Sequence, residues 1–186
     1  MKKLLNPFDY VAGATSLLWG LAAMVASAAV AALTDQSFDG FMHITFARIS
    51  IWQALAQQLI CWLLLATLLY GAARLASRSS VRALDIYGTN LFARIPWLLM
   101  LAAEFIPGKG LLTRLESGNI AEIQAAIVPL TIYGLILIVL LVWSIWWSYK
   151  AFSISANLRG WKAAAIFIAC WIAVSIAVTP LLALTR

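Results

Sequence analysis

The sequence predicts an all-α, polytopic membrane protein with five transmembrane helices, its N-terminus cytoplasmic and its C-terminus external. Composition, apolar run length and loop charge carry that prediction. Of 186 residues, 64% are apolar and only 11% charged, and the mean hydropathy is +0.94. A soluble domain carries roughly a quarter charged residues, so the composition argues against a water-soluble globule. Five apolar runs, Val11 to Leu33, Ile51 to Ala73, Leu84 to Ile106, Ala125 to Trp147 and Ala163 to Leu184, each have the length to cross a bilayer. The requirement is about 20 residues, because the hydrocarbon core is roughly 30 Å thick and a helix rises about 1.5 Å per residue. With no water to pair backbone groups in that core, the runs are helices rather than strands. Thirteen Lys/Arg against seven Asp/Glu leave a net charge of +6. In a chain this apolar the excess belongs to cytoplasmic loops and not to a nucleic-acid surface. With the N-terminus inside, the cytoplasmic side holds Lys2, Lys3, Arg74, Arg78, Arg82, Lys150, Arg159 and Lys162, and the outer side only Arg48, Lys109, Arg114 and Arg186. The whole chain, 1–186, reads as one transmembrane domain of a cell membrane, the inner membrane of a bacterium, with the lipid bilayer as its first partner.

The expected helices are 7–33, 50–77, 81–106, 120–155 and 158–184. Helix one opens on Asn6, Pro7 and Asp9, which supply a cap, a proline in the first turn and an acid near the N-terminal dipole. That cap and the length of the apolar run argue against a cleaved signal peptide, despite Lys2 and Lys3. Small residues recur along it at Ser16, Gly20, Ala23, Ser27 and Ala31. Such a stripe lets helix backbones approach closely, within one chain or by self-association through helix one. The outer loop from Thr34 to Ile49 holds Asp35, Asp39 and His43, the single histidine. Gly40 and the aromatic spacing of Phe38, Phe41 and Phe46 make this a partly interfacial loop rather than a helix that could converge on a metal.

Helix two opens on Ser50 and Gln53, a capping-box spacing, and carries Gln57 and Gln58 further on. Amides in a bilayer hydrogen-bond across helices, so these glutamines read as interhelical glue. Ser79 or Ser80 is expected to open helix three and Asn157 to open helix five. Helix four, opened by Asn119 and Glu122, is longer than one membrane thickness, with Pro129 as the expected bend. At its cytoplasmic end Trp143, Trp146, Trp147, Tyr149 and Lys150 read as an aromatic belt with a snorkelling lysine.

Arg94 is the most informative single residue. It lies near the middle of helix three, where an arginine costs about 2.5–3.5 kcal/mol to insert, so it must face the protein interior. Tyr87, Asn90 and Arg94 recur at i, i+3 and i+7 and share one helix face, whereas Asp85 falls on the other. With Gln53 and Gln57 they form the candidate intramembrane polar site. The expected neighbours of Arg94 are Ser144, Thr67 and the carbonyls freed near Pro96. For catalysis the inventory is thin: no GxSxG, HExxH or Walker-type glycine loop is present, and no carboxylates pair on one helical face. Cys61 and Cys170 sit in apolar runs without CxxC spacing. The expectation is a non-enzymatic protein with no cofactor, no metal site and no nucleic-acid partner.

Three stretches carry a family resemblance. DIYGTNLFARIP at 85–96, the segment from Trp143 to Ala164 with its NLRGWKA loop, and KLLNPFDY at 3–10 are similar to the membrane domain of the Ypt/Rab-interacting protein (YIP) family, in its short bacterial form. The resemblance implies five spanning helices, a cytoplasmic N-terminus and a membrane-organising or partner-binding role that includes other membrane proteins. Eukaryotic members are linked to vesicle traffic and small GTPases. Their DLYGP-type segment matches here only as DIYG at 85–88, between the second and third runs and without the proline, so GTPase binding is not carried over. The alternative to that role is a small transporter or channel with a polar pathway around Arg94.

Overall fold

A computed structural model describes residues 6–38, 40–41, 43–105 and 119–185, apart from the side chain of Glu122. The fold is a helix bundle: α1 (Gly13–Leu33), α2 (Ile51–Ala76), α3 (Ala83–Phe92), α4 (Ile95–Ala102), α5 (Ile120–Ser155) and α6 (Gly160–Ala183), with a short hairpin of β1 (Gln36–Phe38) and β2 (Ile44–Phe46). Single 3-10 turns precede α1 at Pro7–Asp9 and follow α4 at Ala103–Phe105.

Four helices, α1, α2, α5 and α6, are continuous, apolar and long enough to cross a membrane. The third apolar run is not continuous and divides into α3 and α4. Pro96, the second residue of α4, has no N–H to donate to the Phe92 carbonyl, and its ring crowds the preceding turn. The ladder therefore tightens before it stops. Ala93 N–H still reaches the Thr89 carbonyl, Arg94 N–H bonds to the Leu91 carbonyl at 3.0 Å, and Trp97 N–H restarts the pattern on the Arg94 carbonyl at 2.9 Å. The expected end of this run at Ile106 lies outside the described residues, as do Lys2, Lys3, Asp39, Lys109, Arg114 and Arg186.

Several boundaries differ from expectation for local reasons. Asn6 does not cap α1, because its amide donates to the Asp9 carboxylate at 2.7 Å and the proline turn ends before Gly13. Gly13 then takes φ +59°, a left-handed conformation that redirects the chain into the helix. The capping box of α2 forms as expected, with Ser50 accepting from Gln53 N–H and Gln53 reaching back to Ser50 N–H. Ser77 and Ser79 bond to each other, and α3 starts at Ala83. Asn157 closes α5 instead of opening α6: at φ +51° its N–H bonds to the Ile154 carbonyl, a left-handed helix end.

The small-residue stripe of α1 is filled within the chain. Among the packed elements, α1 and α3 share the most extensive contact. A Cβ added at Gly20 would stand 2.7 Å from Leu91 Cγ and 2.8 Å from Phe92 N, and one at Gly88 would stand 2.7 Å from both Gly13 O and Ser16 Oγ. Only paired glycines allow this approach. The aromatic cluster of α5 divides. Trp146 is exposed, with Lys150 Nζ 4.6 Å from its ring centre, as a membrane belt requires. Trp147 is buried, stacked on Phe92 and edge-on to Phe8. Proline does not interrupt α5, which runs 36 residues through Pro129, about 54 Å. It presents Ile127, Val128, Ile132, Leu135 and Val139 outward.

Substituting Gly20→Ala or Gly88→Ala forces backbone apart, an overpacking cost of about 1–3 kcal/mol. Each variant is expected to melt several degrees below wild type in detergent. Gly71→Ala and Gly134→Ala meet open space and should leave the melting temperature within a degree or two. A Gly20→Ala protein that melts like wild type would rule out the seam.

Candidate functional site

The hairpin between α1 and α2 is the element that completes the interior. A two-stranded hairpin is marginal alone, and here the bundle holds it. Gln57 is the clamp: its Oε1 accepts from Phe38 N–H at 3.0 Å and its Nε2 donates to Ser37 Oγ at 3.1 Å. Gln36 Nε2 donates to Thr34 Oγ1 and to the Leu101 carbonyl. These bonds pair polar groups that would otherwise be buried unsatisfied. They also carry two aromatic residues inward. Phe38 lies 6.1 Å from Trp97 between ring centres, and Phe41 stands edge-on to Trp171 at 5.8 Å. The loop is thus seated in the bundle by its first strand and Phe41, while Phe46, Ala47 and Arg48 are exposed. His43 is exposed, Asp39 lies outside the described residues, and no metal-binding cluster occurs among the described residues.

Around this insertion Phe41, Leu65, Asn90, Arg94, Trp97, Ser144, Ile145, Ser148 and Trp171 line a cavity of about 10 Å³, room for roughly one water-sized particle. Arg94 is only 8% exposed and Asn90 2%. The Arg94 guanidinium lies 5.6 Å from the ring centre of Phe41 and 5.7 Å from that of Trp97. Cation–π contacts of this kind are worth about 0.5–2 kcal/mol each. Among the described residues, none of the guanidinium nitrogens has a hydrogen-bond partner, and neither does either polar atom of the Asn90 side chain. The expected carbonyls near Pro96 do not receive the guanidinium. The break frees them, but Arg94 turns to the aromatic rings.

The five residues of the expected polar site fall into three groups. Asn90 and Arg94 meet at the cavity with Ser144, as expected. Tyr87, although on the same helix face, turns to α2: its hydroxyl pairs with Thr67 Oγ1 at 2.8 Å and its carbonyl accepts from Trp62 Nε1 at 3.0 Å. Thr67 is thereby a neighbour of Tyr87 and not of Arg94. Gln53 and Gln57 stand at the hairpin, Gln53 donating to the Thr185 carbonyl at 3.3 Å, where a separate pocket of about 270 Å³ includes Ser37, Arg48 and Thr185. The glutamines were expected to bond from helix to helix; Gln57 instead holds the hairpin, Gln53 reaches the turn after α6, and Gln58 Nε2 is buried and unpaired. Phe41, Trp97, Ser148 and Trp171 were not foreseen as site residues. Trp97 could have been found, since it follows Arg94 at i+3 across the proline. Phe41 and Trp171 carry no local signal that reaches α3. No family model, characterised protein or solved structure matches the chain.

Gln57→Leu leaves Phe38 N–H and Ser37 Oγ buried without their partner, about 1–3 kcal/mol for each group. The variant is expected to be cleaved faster than wild type between residues 34 and 49 in limited proteolysis, and to melt lower. Unchanged cleavage would mean that the aromatic insertion alone holds the hairpin.

Proposed function

We propose that the chain is a non-enzymatic, multi-pass membrane protein of the YIP type, which organises the bilayer or binds a partner within it. It crosses the inner membrane of a bacterium five times, with its N-terminus in the cytoplasm and its C-terminus outside. The observation that carries the reading is the placement of the broken third run. Residues 83–105 would reach about 34 Å with α3 and α4 in line, enough for a hydrocarbon core, and they pack against α1, α2 and α5. A fifth crossing agrees with the division of eight Lys/Arg to one side and four to the other. A static role is supported by the separation of the polar side chains. The hairpin glutamines and Arg94 line two different pockets with no residue in common.

A second reading, a small transporter or channel, draws on one observation: Arg94 and Asn90 are buried with unpaired polar atoms. The two readings differ in the consequence of Arg94→Ala. A transport residue changes flux at unchanged abundance, whereas an organising protein keeps its co-purifying partner in mild detergent and has no flux to lose.

Reporter fusions after Ser79 and after Arg186 test the crossing number. The expected outcome is a cytoplasmic reporter at Ser79 and an external one at Arg186. Reporters on the same side would make the third run re-entrant and leave four crossings.

A further inference from the structure

The Arg94 cavity raises a question that folding alone leaves open. A guanidinium removed from water in a low-dielectric interior carries a penalty of several kcal/mol, and two cation–π contacts offset part of it. Among the described residues, no carboxylate lines the cavity. Donors outnumber acceptors among the groups that line it, and the acceptor Asn90 Oδ1 is also buried without a partner among the described residues. Arg94 offers five N–H donors and a full positive charge, Asn90 two amide donors, and Ser144 and Ser148 a hydroxyl each. All three Arg94 nitrogens and the Asn90 Nδ2 are buried without an acceptor. The break at Pro96 sets the start of α4, with its positive partial charge, beside the end of α3, with its negative one, so the helix ends offset each other. The full charge at the cavity is that of Arg94, and it is positive.

We propose that Arg94 and Asn90 form a binding site for a single monovalent anion of halide size, assisted by the Ser144 and Ser148 hydroxyls and closed by Phe41 of the hairpin. Two quantities select the occupant. A neutral water molecule would satisfy donors but leave the arginine charge uncompensated, whereas an anion does both. The cavity of about 10 Å³ admits one particle near the size of a water, which excludes a sulfate or a phosphate headgroup with its several oxygens. The aromatic rings of Phe41, Trp97 and Trp171 in its lining lower the local dielectric and strengthen the charge pairing. The site stands whether the bundle organises the membrane or moves a solute, because it requires only the packing of α2 to α6 and the hairpin.

The test is an anion series on the purified, full-length protein in detergent at fixed sodium concentration and ionic strength. Chloride replaces isethionate stepwise, and the melting temperature is followed. The expected result is a saturable rise, about 5–10 °C once chloride stands about a hundredfold above its Kd. Bromide should act likewise and sulfate should give no saturable rise. Arg94→Gln should abolish the response, and Asn90→Leu should shift the half-saturating chloride concentration upward about tenfold. If Arg94→Gln does not fold, the wild-type series and Asn90→Leu still decide. Identical melting in chloride and isethionate would overturn the proposal. So would a chloride response unchanged in either variant, which would place the ion elsewhere. A saturable response to sulfate or phosphate without one to chloride would also overturn it and assign the cavity to a polyatomic headgroup.

Discussion

The contact between α1 and α3 is the constraint from which the rest of the interior follows. In a bilayer there is no hydrophobic force between helices, so close packing of small residues has to hold them together. Gly20 lets the backbone at Leu91 and Phe92 approach, and Gly88 lets Gly13 and Ser16 approach in return. This reciprocal fit fixes α3 along its length and directs the opposite side of the helix toward α5. Thr89 and Ser155 pair there at 2.8 Å, and Asn90 and Arg94 meet Ser144 and Ser148 at the cavity. A side chain at Gly20 would displace α3 and with it the position of the guanidinium.

The hairpin complements this seam from the other end of the bundle. Its backbone is tied by glutamine amides, and its aromatic residues fill space that the broken helix leaves. A continuous helix through residue 94 would present a straight wall. The interruption at Pro96 instead gives the aromatic side chains a recess to enter. Arg94 is then solvated by rings in place of carbonyls, an arrangement that preserves its charge while removing its hydrogen bonds. Interior charge and interior apolar packing are here parts of one cluster.

How much of this could be read from residues alone varied with the range of the interaction. The long apolar runs were legible because hydropathy is a property of each segment, and the Ser50–Gln53 box because it closes within one turn. The inward face of Arg94 was legible from its insertion cost. Residues that act through distant neighbours were not. Tyr87 shares a face with Arg94, yet a hydroxyl on Thr67 and the indole of Trp62 draw it to α2. Asn157 has the chemistry of a helix opener, and its tolerance of positive φ made it a helix end instead. Phe41 gave no indication that it would travel from a loop to the middle of the bundle, since that depends on Gln57 and on the recess at Pro96 together.

The seam between α1 and α3 also bears on the order in which the protein is made. The segment that carries Arg94 is the least able of the apolar runs to enter lipid unaided, because it brings a charge and an interrupted hydrogen-bond ladder. Its principal glycine partner and its Tyr87 contacts are on α1 and α2, both synthesised before it. The helices that receive α3 therefore leave the ribosome before it does. The serines of α5 that reach the guanidinium arrive only afterwards. Biogenesis thus runs from a preformed template to a late enclosure, with the arginine sheltered on one side before it is surrounded on the other.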